Sequence, residues 1–263
     1  MIVVGMGGSH LAADLLKILK PELDLSIHKD YGLPKVKEGE LVVLSSYSGN
    51  TEEVLDAYEE AAGLNRAVIT VGGKLLEKAK QDGVKYVQLP DLGLQPRDAW
   101  HLNLQALYEL LGEKLELPEI KPVEPLEIKE RIPLIYTSNQ YQALGYIWKI
   151  NFNETGKIPA FDNVIPESDH NEINSFAKFN NFYALFITDE TDHPKIVKRM
   201  EVTAKLYNEV GIPSKLIQLE GRDMLEKIFN CLALARSTAV AIAKSYGLDP
   251  LAVPMVEKLK KEL

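Results

Sequence analysis

Short apolar runs alternate with helical patterns along the chain, and this alternation limits its fold more than any other feature. In the first half, apolar runs predict strands at Met1–Val4, Leu23–Ile27, Leu41–Ser45, Ala67–Val71 and Lys85–Leu89. Helical patterns lie near His10–Ile18, Thr51–Ala62, Leu75–Lys80 and Arg97–Leu111. Strands that alternate with helices are typical of βα units, in which helices cover a parallel sheet. The first half therefore predicts an α/β fold.

The alternation stops at a proline-rich tract, residues 117–125, and then resumes. The second half predicts strands at Ile132–Thr137, Phe161–Val164, Phe182–Thr188 and Ser214–Gln218, and helices near Gln142–Glu154, Pro194–Val210 and Met224–Ser245. A tract with repeated prolines between two periodic halves is typical of an interdomain linker. We therefore predict two domains of similar architecture, residues 1–117 and residues 118–263.

The composition and the charge exclude several classes of protein. With 263 residues, 46% of them hydrophobic, the chain can fill two cores. No run approaches 18 apolar residues and no signal peptide is visible, so we expect a cytoplasmic protein without a membrane partner. The formal charge of −8 disfavours nucleic acid as a partner. The single cysteine, Cys231, lies in an apolar pattern and is predicted to be packed in a core.

The helix predicted across Leu225–Ala243 is apolar on most of its faces. Such a helix is either buried within its own domain or packed on a second subunit. The sequence leaves both possibilities open.

Hydroxyl side chains follow the third predicted strand, in Ser45-Ser46-Tyr47-Ser48-Gly49-Asn50-Thr51. Hydroxyls of Ser46, Ser48 and Thr51, with backbone N–H groups at a helix N-terminus, offer donors to a phosphate without a metal ion. The same residue types are common in turns and helix caps. The loop alone therefore leaves a phosphate site and an ordinary turn as equal alternatives.

A glycine-rich turn, Gly5-Met6-Gly7-Gly8-Ser9-His10, follows the first predicted strand. In a dinucleotide-binding G-x-G-x-x-G turn the third glycine would fall at His10, and no clear acidic residue follows the second strand. Ser9 suits a sugar hydroxyl or a phosphate better than it suits a pyrophosphate loop. The turn therefore disfavours a nucleotide cofactor.

Motifs in both halves together resemble a known family. The two loops resemble those of sugar isomerase (SIS) domains, which bind phosphosugars. The second half contains Trp148-Lys149-Ile150-Asn151-Phe152-Asn153-Glu154-Thr155-Gly156-Lys157-Ile158-Pro159-Ala160 and Pro166-Glu167-Ser168-Asp169-His170-Asn171-Glu172-Ile173. This pair resembles the catalytic signature of the bifunctional phosphoglucose/phosphomannose isomerases of archaea and some bacteria. The likeness extends over essentially the whole chain and implies two SIS-type, flavodoxin-like αβα domains, each of three layers with a mostly parallel sheet.

The resemblance also implies an activity. The chain would be an aldose-ketose isomerase that interconverts glucose 6-phosphate, and mannose 6-phosphate, with fructose 6-phosphate through a cis-enediolate. Glu154 would move a proton between C1 and C2, Arg97 would stabilise the negative charge, and His170 would assist ring opening. A homodimer is implied, in which His170 can act in the neighbouring subunit's site.

The remaining roles follow from the same resemblance. Ser46, Ser48 and Thr51 would bind the phosphate, and Gly7, Gly8 and Ser9 would line the substrate pocket. A lysine near the C-terminus maps to Lys260, with Lys258 as the alternative. No cofactor is implied, and the histidines show no metal-ligand spacing, so no metal is expected.

Local patterns add expectations for the two catalytic candidates. Glu154 is predicted at the C-terminal end of a helix, just before Thr155-Gly156, where its carboxylate could act as a proton-abstracting base. His170 is predicted in the first turn of a helix, with Asp169 as N-cap and Glu172 as its capping-box partner.

The chain departs from the family pattern at three places. It begins directly at the first strand, Arg236 stands where an acidic residue is common, and Leu251 replaces a frequent threonine after Asp249-Pro250. A hydroxyl in that last region is implicated in accepting mannose 6-phosphate, so this second substrate stays open. Two other functions also remain open: a non-catalytic SIS regulator that binds sugar phosphates, and an isomerase of an amino sugar phosphate.

Overall fold

A computed structural model of the chain describes residues 1–128, 130–178 and 180–262, apart from the side chains of residues 177, 260 and 261. It divides into two compact units, Met1–Leu117 and Pro118–Leu263. Each unit contains one sheet, and every strand pair found in the two sheets is parallel. The predicted α/β fold with parallel sheets is confirmed.

The first unit is a five-stranded sheet with helices on both faces. Its elements are β1 (Ile2–Val4), α1 (Leu11–Leu19), β2 (Ser26–His28), β3 (Val42–Ser45), α2 (Glu52–Glu60), β4 (Arg66–Thr70), α3 (Gly73–Gln81), β5 (Lys85–Gln88) and α4 (Trp100–Leu110). The strand order is β2-β1-β3-β4-β5, with Val3 opposite Ile27 on one side and Val43 on the other. Strand β2 starts later than predicted, because Leu23 closes a turn by donating its N–H to the carbonyl of Lys20 at 3.0 Å.

Burial explains the continuous apolar runs in the sequence of this unit. All of β3 is buried, which is expected of a parallel strand covered on both faces. Helices α2 and α3 pack against one face through Val54, Tyr58 and Leu75, and α1 packs with α4. The layers therefore follow from the spacing of apolar residues in each helix.

The second unit is a four-stranded sheet. Its elements are β6 (Ile132–Ser138), α5 (Gln142–Ile150), β7 (Phe161–Ile165), α6 (Ser168–Asn171), β8 (Phe182–Thr188), α7 (Pro194–Glu209), β9 (Ser214–Gln218), α8 (Met224–Ser245) and α9 (Pro254–Glu262). The strand order is β7-β6-β8-β9. Helix α9 was not expected from the lysine-rich sequence. It begins with Pro254, which suits the first position of a helix.

The predicted helix 142–154 is α-helical only as far as Ile150. Asn151–Thr155 continue it as one turn of π-helix, which we call the π turn. The amide of Gly156 donates to the carbonyl of Asn151 at 2.9 Å and closes the wider turn. A Cβ on Gly156 would lie 2.8 Å from the carbonyl oxygen of Phe152, so glycine suits this position.

Helix α8 is buried along one side, where it packs on α5 and the π turn. Its buried residues include Ile228, Phe229, Leu232 and Ala235. Cys231 is also buried, and Trp148 Nε1 lies 3.2 Å from its Sγ. Burial raises the pKa of this thiol to about 12, so the predicted core role of Cys231 is confirmed. Across the described residues no helix is long and apolar enough to span a membrane.

Candidate active site

The serine loop, residues 46–51, lies at the carboxyl end of β3 and is held together by its own hydroxyls. Ser46 Oγ and Thr51 Oγ1 are 2.8 Å apart, and Ser46 Oγ also accepts the N–H of Gly49 at 3.1 Å. Ser46 is buried, Thr51 is half-buried and Ser48 is exposed. The loop leads directly into α2, whose N-terminus supplies unpaired N–H groups and a positive dipole end. Hydroxyls and N–H groups in this arrangement can donate to an anion.

A second loop supports the serine loop from behind. The loop after β4 leads into α3, and the N–H of Leu75 in the first turn of α3 donates to the carbonyl of Gly49 at 2.9 Å. Gly49 has φ +69°, and a Cβ on it would lie 1.7 Å from the carbonyl oxygen of Gly72. A Cβ on Gly73 would likewise lie 2.4 Å from the carbonyl oxygen of Ser48. Sequence reasoning missed this support, although the Gly72-Gly73 pair after a strand was a visible signal.

The glycine turn lies between the serine loop and Arg97. Ser9 Oγ accepts the N–H of Tyr47 at 2.9 Å, and Ser45 Oγ donates to the Ser9 carbonyl at 2.9 Å. A Cβ on Gly8 would lie 2.4 Å from the backbone nitrogen of Arg97, which is itself only 2% exposed. Gly7 is exposed, with φ +52° and open space beside it. The first unit thus brings together its predicted site residues, with Ser9 supporting the serine loop from a buried position.

The strand order places these loops on either side of a switch point in the sheet. The chain leaves β1 toward β2 on one side, whereas β3, β4 and β5 extend the sheet on the other. Connections diverge at such a switch point, and open α/β sheets bind ligands outside the carboxyl ends of the strands there. The glycine turn follows β1 and the serine loop follows β3, so both flank this switch point.

Glu154 lies in the π turn, half-buried, with its main chain held by neighbouring side chains. Lys157 donates its Nζ to the carbonyls of Glu154 and Ala252. Lys157 has φ +59°, an uncommon conformation for a lysine, and Arg236 Nη1 donates to the buried hydroxyl of Thr155 at 2.7 Å. π turns within helices are frequent at functional sites. Arg236, one of the departures from the family pattern, thus contacts the residue that follows Glu154.

His170 is exposed on the short helix α6, and the capping predicted around it is wrong. The N-cap position belongs to Glu167, not Asp169. Asp169 instead accepts from Arg199 Nη1 at 3.1 Å and from the Thr203 hydroxyl at 2.9 Å. A guanidinium on α7 is a stronger partner for this carboxylate than a backbone N–H of its own turn.

Glu154 and His170 lie at opposite ends of β7. The π turn precedes this strand and α6 follows it, so the two residues flank its amino and carboxyl ends. Five residues of strand span about 16 Å. The two catalytic candidates thus border opposite edges of the sheet in the second unit.

The lysine candidates lie in the last helix, α9. Lys258 is exposed, and the side chain of Lys260 falls outside the described part of the chain. In the residues that the structure covers, no three His, Cys, Asp or Glu side chains are grouped as metal ligands would be.

Comparisons with known proteins identify the family. The model of the bacterial phospho-glucose isomerase C-terminal SIS domain matches residues 125–263. The bifunctional phosphoglucose/phosphomannose isomerase of Aquifex aeolicus is 33% identical over 288 residues, covering 100% of this chain and 90% of that protein. The protein of the same name from Caldicellulosiruptor bescii is 31% identical over 302 residues, covering 100% and 89%.

Solved structures agree on the fold. The crystal structure of glucosamine-6-phosphate deaminase from Thermotoga maritima matches with a TM-score of 0.70 and 13% identity, over 96% of this chain and 88% of that one. At that identity the likeness concerns architecture alone. The sequence relatives and the family model carry the assignment: the chain belongs to the bifunctional phosphoglucose/phosphomannose isomerase family.

Proposed function

We propose that the protein interconverts glucose 6-phosphate, and also mannose 6-phosphate, with fructose 6-phosphate. The observation that carries this proposal is the serine loop, whose hydroxyls and N–H groups stand beside a sheet switch point in a chain of this isomerase family. Ser48, Thr51 and the N-terminal amides of α2 would bind the phosphate, with Ser46 holding the loop in shape. The hydroxyls and the helix dipole favour a dianion without a metal ion.

The chemistry needs a base that moves a proton between C1 and C2. Glu154 is proposed for this role, because a carboxylate can take the proton from one carbon of the cis-enediolate and return it to the other. Arg97 is proposed to stabilise the enediolate oxygen, because a guanidinium stays charged throughout. A catalytic role is also proposed for Lys260, with Lys258 as the alternative, and it rests on the family resemblance alone.

His170 is proposed to assist ring opening by proton transfer at the ring oxygen. Because Glu154 and His170 lie at opposite ends of β7, we propose that His170 acts in the site of a second copy of the chain. A homodimer would meet this need.

We also propose that the protein is cytoplasmic. Its lone cysteine is buried and free, which fits the cytoplasm, where disulfides are rare.

A coupled assay of fructose 6-phosphate formation tests the activity. We expect turnover of glucose 6-phosphate, and the mannose 6-phosphate reaction shows whether Leu251 is compatible with the second substrate. Solvent deuterium at C2 of glucose 6-phosphate formed from fructose 6-phosphate is expected, and it would mark proton transfer through an enediolate, since a hydride shift brings in no solvent label. Binding of hexose phosphates without any turnover would support a sugar-phosphate regulator instead, and turnover confined to glucosamine 6-phosphate would support an amino sugar isomerase.

Gly49→Ala is expected to raise the KM for glucose 6-phosphate about 10-fold or more, since loss of a hydrogen bond to a charged group costs about 1.5–3 kcal/mol. The added methyl would clash with the Gly72 carbonyl and displace the serine loop. Steady-state kinetics and calorimetric binding of glucose 6-phosphate would measure the effect.

Gly63→Ala is the matched control for this prediction. Gly63 also has positive φ, +79°, but an added Cβ there would meet nothing within 4 Å. The control should lose about 1 kcal/mol of stability from backbone strain and keep its KM. An equal rise of KM in both variants would contradict the proposed role of the serine loop.

A further inference from the structure

Helix α6 has only four residues, Ser168–Asn171, and depends on contacts outside itself. An isolated turn of helix is unstable in water, because it fixes several dihedral angles for very few hydrogen bonds. His170 is exposed in this turn. The orientation of its ring therefore depends on what holds the turn on either side.

Two carboxylates hold the turn from opposite sides. Asp169 is bound to α7 through Arg199 and Thr203. Glu172, the residue that follows α6, is bound to the sheet: its Oε2 accepts from the Tyr136 hydroxyl at 3.0 Å, and its Oε1 accepts from Asn163 Nδ2 at 2.5 Å. Tyr136 lies on β6 and Asn163 lies on β7.

The donors that face Glu172 are fixed. Tyr136 is 1% exposed, and burial raises the pKa of its hydroxyl far above the ordinary value, so it keeps its proton. The Tyr207 hydroxyl lies 3.2 Å from the same oxygen and can donate to it, which leaves the Tyr136 proton for Glu172. Asn163 Oδ1 accepts the N–H of Val164 at 2.8 Å, which turns the Asn163 amide nitrogen toward Glu172. Both carboxylate oxygens of Glu172 are therefore committed to the sheet.

We propose that Glu172 is a positioning residue for His170: it ties α6 to β6 and β7 and so sets where the imidazole stands during ring opening. This inference rests on the proposed function. It assigns Glu172 no proton transfer of its own. Its loss should slow the step that needs His170 and leave phosphate binding unchanged.

Glu172→Gln tests this at a single contact. The glutamine is neutral, so the two hydrogen bonds to a charged carboxylate are replaced by weaker ones between neutral groups. Where its oxygen faces Tyr136, its amide nitrogen also opposes the amide nitrogen of Asn163. We expect kcat for glucose 6-phosphate to fall about 10-fold, since a small misplacement of a catalytic group can cost up to about 100-fold. The inhibition constant of open-chain 6-phosphogluconate should stay within about 2-fold, because its binding needs no ring opening.

Asn163→Asp in the Glu172→Gln background is expected to restore kcat. The aspartate can accept from the glutamine amide and still accept from Val164, so kcat should recover to within about 3-fold of wild type. Glu40→Gln is the matched control, because Glu40 is a similarly hydrogen-bonded carboxylate in the first unit, away from α6. It should leave kcat unchanged.

Combination with His170→Ala decides whether Glu172 acts through His170. The double variant Glu172→Gln/His170→Ala should be no slower than His170→Ala alone, as expected for two residues that serve one step. The inference would be overturned if the kcat losses of Glu172→Gln and His170→Ala multiplied in the double variant. Wild-type kcat in Glu172→Gln or in His170→Ala would overturn it as well. Lack of all hexose phosphate turnover by the wild type would instead count against the proposed function.

Discussion

Glu154→Gln is expected to lower kcat for glucose 6-phosphate at least about 100-fold, the usual contribution of a general base. Glutamine keeps the size of the side chain but cannot take a proton from carbon. The main chain of the π turn should be retained, because Lys157 binds the Glu154 carbonyl and Arg236 binds Thr155. The KM should change little, since the phosphate contacts are elsewhere. Stopped assays of fructose 6-phosphate formation would measure both constants.

The matched control is Glu209→Gln, which removes an exposed carboxylate from α7. Its kcat should equal that of the wild type. Deuterium incorporation from solvent at C2 of the sugar should be lost in Glu154→Gln along with net turnover. Wild-type turnover by Glu154→Gln would remove Glu154 from the proposed proton transfer.

Lys227→Met is expected to destabilise the second unit by about 3–5 kcal/mol, because it would leave a buried carboxylate without its cation. Lys227 Nζ lies 2.7 Å from Asp189 Oδ2, and the two residues are 8% and 1% exposed. Asp189 also accepts from the Tyr141 hydroxyl and from the N–H of Thr191, but these neutral donors do not balance its charge. Urea unfolding followed by circular dichroism would measure the loss.

Lys205→Met serves as the control for this effect. Lys205 is 78% exposed on α7 and lies 3.9 Å from Glu209, so its ion pair should contribute within about 0.5 kcal/mol. Equal stability losses in the two lysine variants would contradict the assigned role of the buried pair.

The buried pair also gives this stability a pH dependence. Burial by itself raises the pKa of Asp189, but the hydrogen bonds from Lys227, Thr191 and Tyr141 outweigh it and lower the pKa. A carboxyl with a lowered pKa in the folded state contributes stability above its unfolded pKa of about 4, and that contribution is lost as the pH falls through the folded value. The difference between wild type and Lys227→Met should therefore be larger at pH 7 than at pH 3.

Much of the fold was accessible from local patterns. The bounds of β8, β9 and α8 agree with the predicted Phe182–Thr188, Ser214–Gln218 and Met224–Ser245. These segments were predictable because their apolar residues recur with the period of the element, and turn residues mark their ends. Helix α9 and the π turn were not predictable in this way. An exposed, lysine-rich helix has no strong apolar signal, and the π turn depends on contacts around Asn151 and Gly156.

Part of the candidate site was also accessible. The hydroxyls of the serine loop and the glycines of the first turn were visible as donor-rich turns after strands, and the family motif singled out Glu154 and His170. The capping predicted for Asp169 and Glu172 was wrong. Asp169 binds Thr203 on α7, and Glu172 binds Tyr136 on β6 and Asn163 on β7. These partners lie on other elements, so local spacing does not reveal them. Tertiary partners with buried hydroxyls, amides or guanidinium groups outcompete a local backbone N–H.

By itself the sequence determined the βα alternation, the parallel sheets and the family, because apolar periodicity and contiguous motifs are local properties of the chain. Only the tertiary structure decided the strand order that forms the switch point beside Gly7 and Ser46. It alone decided the support of Gly49 by Gly72, and the separation of Glu154 from His170 by the length of β7. Those features depend on which distant segments pair, and packing and hydrogen bonding between segments settle that choice.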